Sequence, residues 1–265
     1  MPVADLCPSS VTGMTSLDQP CPICAGTATA FDVVDFNKSC IEVSGTFLPL
    51  CGVPIYYFLC QQCGFCFAPE MHRWKPEEFA KKVYNDEYVM VDPDWIETRP
   101  RGNAQHLAKI FGPASADIRH LDYGGGLGLL SDLLQGEGWQ STSYDPYVDL
   151  DIGLRDFGKF DLITSFEVFE HVPDATRLIG DLASLLDDDG MIYFTTLLSD
   201  GQVVRGQRLA WWYAAPRNGH ISLYTQESLA VLGAREGLQF GSFTPNLHAF
   251  WRRVPSWAGH LFKAA

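Results

Sequence analysis

HLDYGGGLGLL, residues 120–130, carries four glycines within five positions. A strand-like lead ending at Tyr123 runs into them, and a leucine-rich helical pattern follows. Glycine at this density lets a backbone bend sharply and come close to a ligand. In open α/β sheets, ligands sit beyond the carboxyl ends of strands, at this kind of strand-to-helix turn. The spacing narrows the ligand class. A dinucleotide fingerprint G-x-G-x-x-G begun at Gly124 or Gly126 would need its third glycine at position 129 or 131, where the chain has Leu129 and Ser131. No lysine follows the glycines, which excludes a phosphate loop of the G-x-x-x-x-G-K-[ST] type. The pattern present is acid-x-Gly-x-Gly-x-Gly, made by Asp122, Gly124, Gly126 and Gly128.

Outward from this turn, strands and helices alternate. DIRHLDY, QSTSY, FDLITSF and MIYFTTLL read as strands. LGLLSDLLQGEGW reads as a helix ending at Gly136, with Leu129, Leu130, Leu133 and Leu134 on one side. DATRLIGDLASLLDDDG reads as a helix capped by Asp174, its stripe made of Leu178, Ile179, Leu182, Leu185 and Leu186. TQESLAVLGAREG is a helix with Thr225 as cap and Gly237 as stop, and LQFGSFTP and LHAFWRRV close the pattern as strands. Upstream, Pro76 opens a short helix at PEEFAKKVY, and NAQHLAKIF is a second that stops at Gly112-Pro113. Short loops between alternating elements predict an α/β fold with a Rossmann-like, doubly wound, mostly parallel sheet.

Two further features lie on the ends of predicted strands. Asp145, in SYDPY, ends the second strand 17 residues past Gly128, where an acid can accept ribose hydroxyls. FDLITSFEVFEHVPD, residues 160–174, runs a third strand into a loop with Glu170 and His171 just past its end. Glycine pattern, Asp145 and this loop together resemble the class I S-adenosylmethionine-dependent methyltransferases over about residues 105–245. The resemblance implies a seven-stranded sheet with the last strand antiparallel. It also implies a cofactor site built from Asp122, Tyr123, Gly124, Gly126, Gly128, Asp145, Pro146, Phe166 and Glu167. The form E-V-x-E-H-V-P-D resembles a subset that includes the ubiquinone-pathway O-methyltransferases.

All eight cysteines lie within the first 66 residues. Cys21 and Cys24 form one C-x-x-C pair, and CQQCGFC offers a second as Cys60/Cys63 or Cys63/Cys66. Two such pairs can grip one Zn²⁺ tetrahedrally, and four thiolates leave no position for water, so the metal would be structural. Cys60/Cys63 is the preferred second pair, because Gly64 after it eases the tight turn of a knuckle. The expected division is a zinc-ribbon-like module at 1–70, a helical linker at 71–104 that contributes to the substrate pocket, and the cofactor-binding domain at 105–265. A cysteine module before a methyltransferase domain is similar to the arrangement in deoxysugar C-methyltransferases. There, module and linker help build the substrate pocket, and VYNDEYVMVD, with Tyr84 and Tyr88, matches a tyrosine-containing stretch.

Methyl transfer needs a positioned nucleophile and a base for its proton. His220, in APRNGHISLYT, and His171 are the candidate bases, with Glu170 orienting or ligating and Tyr213 and Tyr224 as further pocket candidates. The expected function is methyl transfer to a small polar acceptor, such as a sugar, a nucleotide-sugar or another hydroxylated metabolite. The alternatives are a quinol or phenol O-methyltransferase and a non-catalytic zinc-ribbon interaction protein with a cofactor-binding fold. A formal charge of −13 argues against nucleic acid and anionic membrane surfaces as partners. MPVADLCPSSVTGM has neither a basic start nor an apolar run, so no secretory leader is expected and the location expected is cytoplasmic.

Overall fold

The computed structural model describes residues 18–262. Cys7 and all of MPVADLCPSSVTGM, on which the expectation of no leader falls, lie outside the described residues. In chain order the N-terminal part contributes β1 (Gln19–Pro20), β2 (Thr27–Asp35), β3 (Pro54–Cys60) and β4 (Cys66–Phe67). Three helices follow: α1 (Pro76–Lys82), α2 (Tyr88–Val91) and α3 (Thr98–Phe111). Then come β5 (Arg119–Tyr123), α4 (Leu129–Gly136), β6 (Gln140–Tyr144), β7 (Phe160–Phe166), α5 (Ala175–Leu185) and β8 (Leu186–Thr195). The chain continues through β9 (Ser222–Leu223), α6 (Gln226–Ala234), β10 (Gln239–Thr244) and β11 (Leu247–Trp251).

One sheet has the order β10-β11-β8-β7-β5-β6. Its three pairings from β6 to β8 are parallel, and β11 runs antiparallel to both β8 and β10. The doubly wound sheet and its antiparallel last strand match the expectation. The expected seven strands do not, because this sheet has six among the described residues. Between β6 and β7 the chain makes turns and a short 3-10 segment at Leu154–Asp156. DIGLRDFGKF lacks period-two alternation, and Gly158 adopts φ 74°, so nothing there favours an edge strand beside β6. Leu186 was expected on the α5 stripe, but that helix ends at Leu185 and Leu186 opens β8, paired with Phe160.

The helices form where the pattern and caps agree. Asp174 Oδ1 accepts from the Arg177 amide at 2.9 Å, a cap worth about 1 kcal/mol. Behind it Leu178, Ile179, Leu182 and Leu185 are buried on one stripe. At α6, Thr225 and Ser228 cap each other reciprocally. β8 buries Met191, Ile192, Tyr193 and Phe194 in succession, as a central strand covered on both faces must. On one face, α3 and α4 pack Leu107, Phe111, Leu130 and Leu134 against the sheet. On the other, α5 and α6 share a core with Cys21, Ile23, Phe65 and Phe67 of the cysteine-bearing part.

The second sheet, β1-β2-β3-β4-β9, joins distant parts of the sequence. Its first four strands precede residue 70, and β9 reaches in from residues 222–223 to pair with β4. Tyr57 donates to the His220 carbonyl at 2.7 Å, and Thr225 Oγ1 donates to the Cys63 carbonyl at 2.6 Å. The cysteine-bearing sheet and the segment carrying His220 are therefore one piece of structure.

Candidate active site

The glycine turn sits where β5 meets α4. Gly124, Gly126 and Gly128 have φ of 81°, 56° and 84°, in the left-handed region that L side chains avoid. Space matters as well as conformation. A Cβ on Gly124 would overlap Val168, and one on Gly125 would overlap Ser143 Oγ and Asp122 Oδ2. A Cβ on Gly126 would meet nothing within 4 Å, so the turn's open side is there. Gly125 has no place in the alternating pattern, and its steric role was not legible from spacing.

Asp145 is tied to this turn. Its Oδ2 accepts from the Gly126 amide at 3.0 Å and its Oδ1 from the Tyr147 amide at 2.8 Å. Each oxygen keeps a lone pair for a ligand hydroxyl. Asp122 is buried beneath the turn, and Thr164 Oγ1 donates to its Oδ1 at 2.8 Å. Burial pushes the Asp122 carboxyl up to about 7, against the pull of the Thr164 bond.

A cavity of about 2020 Å³ opens over these residues. Asp122, Tyr123, Gly124, Gly126, Asp145, Pro146, Phe166 and Glu167 all line it, as does Gly125. Gly128 does not; it precedes α4 and serves the helix start. Glu167 holds φ 54°, and its amide donates to Thr195 Oγ1 at 3.0 Å. A non-glycine residue in that region at a cavity wall marks strain kept for a purpose. These residues fit a nucleoside-bearing ligand: backbone without side chains, a carboxylate with free acceptors and a cleft large enough to hold it.

Another part of the wall comes from α1 to α3 and their loops. Trp74, Phe79, Tyr84, Tyr88 and Trp95 give it an aromatic surface. Its one arginine, Arg99, is already engaged as a fork: Nη1 and Nη2 donate to Asp92 Oδ2 and Oδ1 at 3.2 and 2.7 Å.

His171 lines the cavity beside Glu167, whereas His220, Glu170, Tyr213 and Tyr224 do not. Those four lie behind His171. The His171 and His220 rings are 4.8 Å apart, centre to centre. Tyr213 donates to Glu170 Oε1 at 2.6 Å, and Tyr224 donates to the Phe169 carbonyl at 3.0 Å. His220 Nδ1 meets the Tyr213 carbonyl at 2.9 Å and so carries the proton there. His171 Nε2 is 3.8 Å from Glu170 Oε1, while its Nδ1 is buried without a partner among the described residues. Burial, reinforced by the Arg99 charge, holds the His171 ring down to about 4, so it is neutral at pH 7. Burial pushes Glu170 well above the usual carboxylate range, with Glu167 adding to it.

The cysteines gather at one end of the second sheet. The thiol sulfurs of Cys21, Cys24, Cys60 and Cys63 all lie within 4.8 Å of one another, with Cys21–Cys63 at 3.7 Å and Cys24–Cys60 at 3.4 Å. A tetrahedral Zn²⁺ with bonds of about 2.3 Å needs sulfurs about 3.8 Å apart. The Gly26 and Gln62 amides each point at a cysteine sulfur at 3.4 Å, and Gly64 takes φ 69° after the second pair. Of the two registers left open, the structure brings Cys60 and Cys63 to this cluster. Cys66 is instead buried in β4, in the core shared with Tyr57 and Phe79. A hydrogen bond from Cys63 holds the Cys21 thiol down to about 5, so a thiolate forms there readily.

No helix among the described residues is long and apolar enough to cross a membrane. A family model described as a methyltransferase domain matches residues 95–240. The ubiquinone biosynthesis O-methyltransferase of Ralstonia nicotianae is 25% identical over 142 residues, 49% of this chain and 59% of that protein. The enzyme of the same description from Xanthomonas axonopodis pv. citri is 34% identical over 116 residues, 35% of this chain and 48% of that protein. The chain thus spans about half the length of the curated relatives it matches. Among solved structures, an O-methyltransferase family protein from Burkholderia thailandensis is 16% identical, covering 71% of this chain and 67% of that one, with a TM-score of 0.47. The family match covers more than half of the chain and includes the glycine turn, Asp145 and His171, so the chain belongs to the methyltransferase domain family, with the doubly wound fold of its class I members.

Proposed function

We propose that the protein transfers a methyl group from S-adenosylmethionine to a hydroxyl of a small, ring-bearing acceptor. One observation carries this reading: the glycine turn, Asp145 and His171 line a single cavity that also has an aromatic wall. When bound, S-adenosylmethionine supplies a methyl group on a sulfonium that is already a good leaving group. Gly124 to Gly126 give it close backbone approach, Asp145 accepts from its ribose hydroxyls, and Asp122 and Glu167 serve its methionine end. The aromatic side chains exclude water and stack against the acceptor ring. His171, neutral at pH 7, takes the acceptor's hydroxyl proton at Nε2, with Glu170 and His220 fixing the ring from behind. The four clustered cysteines hold a structural Zn²⁺ that braces the acceptor half.

The relatives are ubiquinone biosynthesis O-methyltransferases, which favours O-methylation, here of a phenol-type acceptor that suits the aromatic wall. A sugar or nucleotide-sugar acceptor is the second reading, favoured by the pairing of β4 with β9, which builds the cysteine module into the acceptor half. On the aromatic wall Arg99 is already forked to Asp92 and offers a diphosphate no free cation, which sets the first reading ahead; Arg155, Lys159 and Arg177 line other parts of the cavity. Calorimetric titration with S-adenosylhomocysteine, on wild type and Asp145→Ala, tests the cofactor. Micromolar binding lost in the variant supports the reading, and a folded protein without binding overturns it. A methyl-transfer screen of catechols against nucleotide sugars then decides the acceptor.

A further inference from the structure

His120 is fully buried in β5, two residues before Asp122, and the reaction outlined above does not use it. Histidine is an unusual choice for an inner strand of a parallel sheet, where apolar side chains cost less to bury. Here both ring nitrogens are bonded. Nδ1 meets Ser141 Oγ of β6 at 2.7 Å, and Ser141 Oγ meets Ser131 Oγ in the first turn of α4 at 2.9 Å. Nε2 meets Thr164 Oγ1 of β7 at 2.9 Å, and Thr164 Oγ1 meets Asp122 Oδ1 at 2.8 Å. The result is an unbroken buried chain from the start of α4, across three strands, to the carboxyl beneath the glycine turn.

The direction of such a chain follows from valence. An ionised Asp122 only accepts, so the Thr164 proton must point at it, and Thr164 then accepts from a proton on His120 Nε2. His120 Nδ1 is then bare and accepts from Ser141, whose proton turns to the ring from Ser131 Oγ, the other acceptor within its reach. The opposite tautomer would draw the Thr164 proton onto Nε2 and leave Asp122 Oδ1 without a donor. Thr164 has a second acceptor near it, the Leu121 carbonyl at 3.5 Å, to which its proton turns if nothing holds it toward Asp122.

We propose that His120 is a positioning residue of the cofactor site, which through Thr164 keeps Asp122 an ionised acceptor toward the glycine turn. The proposal rests on the reading of that turn as the S-adenosylmethionine site. The charged group that acts on Asp122 is Asp145, past β6, and being an acid it raises the carboxyl further. On the remaining packed element, α3 turns apolar Leu107 and Phe111 inward. Nothing cationic offsets the burial that lifts the carboxyl to about 7, so the Thr164 donor is what holds it down. The His120 ring stays neutral throughout, since burial holds it down to about 3.

The test is S-adenosylhomocysteine affinity from pH 6 to 9 in wild type, His120→Leu and His120→Gln, with imidazole nitrogen NMR on the wild type. Wild-type affinity should fall as pH drops through about 7. In His120→Leu that midpoint moves upward, weakening binding about tenfold at pH 7 and much less at pH 9, the loss expected for one bond to a charged group. His120→Gln, which keeps a donor toward Thr164, should move the midpoint back. Should leucine at position 120 impair folding, Thr164→Val cuts the same chain with little change of shape and should give the same shift. NMR should find the Nε2–H tautomer at pH 8. A folded variant with the wild-type midpoint, a loss equal at all pH, or an Nδ1–H tautomer overturns the role of His120 alone. A wild-type protein that does not bind at all overturns the cofactor reading with it.

Discussion

Tyr213 donates its phenolic proton to Glu170 Oε1 at 2.6 Å, and both side chains are sealed from solvent. Glu170 Oε2 has no partner among the described residues, and burial keeps the carboxyl protonated well above the usual range. Glu170→Gln should therefore be tolerated, being neutral and nearly the same shape. Tyr213→Phe strands the carboxyl and should cost about 1–3 kcal/mol. Urea unfolding of the two variants checks this, and equal costs would refute it.

Acid should destabilise the protein between pH 6.5 and about 4. Burial is the leading cause of the depression at His72, His120, His171, His220 and His248, which stay neutral in the folded chain. Unfolded, each takes up a proton below about 6.5, so the unfolded state binds more protons and stability falls with pH. Asp122, Glu170 and Asp181, whose folded carboxyls are raised, act in the opposite sense but are fewer than the five histidines. A urea midpoint that is flat from pH 7 to 4.5 would contradict this balance.

Gly125 and Gly126 should respond differently to alanine. At Gly125 the new methyl collides with Ser143 Oγ and Asp122 Oδ2, so the turn must move and S-adenosylhomocysteine binding should be lost. At Gly126 no atom lies in the way, and the cost is the left-handed backbone alone, about 1 kcal/mol. Calorimetry should show Gly126→Ala binding weakened, since the ligand approaches the turn there, yet less than Gly125→Ala, where the turn itself must move; the reverse order would mean that ligand contact at Gly126 outweighs the geometry of the turn.

Removing metal should loosen the acceptor half first. Cys63 carries the carbonyl that receives Thr225, the cap of α6, and Cys60 and Cys66 flank the turn leading into β4. A strong chelator, or Cys63→Ser, should abolish the bound zinc measured by plasma emission and lower Tm by roughly 10 °C or more. A protein purified with no zinc and an unchanged Tm on chelation would reduce the cluster to buried thiols.

Much of the cofactor half could be read from sequence because its signals are local. The turn glycines, Asp145 at the end of β6 and the capped α5 each depend on neighbours a few residues away. The acceptor half was harder. His171 and His220 were equal candidates on sequence, yet only His171 reaches the cavity wall. Tyr213 was expected in the pocket and instead pairs with Glu170 behind it. Side-chain direction there is set by packing between segments far apart in the chain, which periodicity does not encode.

Sequence by itself determined the alternating α/β order, the acid-glycine turn and the two cysteine pairs, since each is a pattern of residue types at short fixed spacing. Tertiary structure alone decided that β9 completes the N-terminal sheet, that Cys66 stays out of the thiol cluster and that His120 is wired to Asp122. Those outcomes depend on which strands lie side by side. Hydrogen bonds across a sheet join residues by register in space, whatever their separation along the chain.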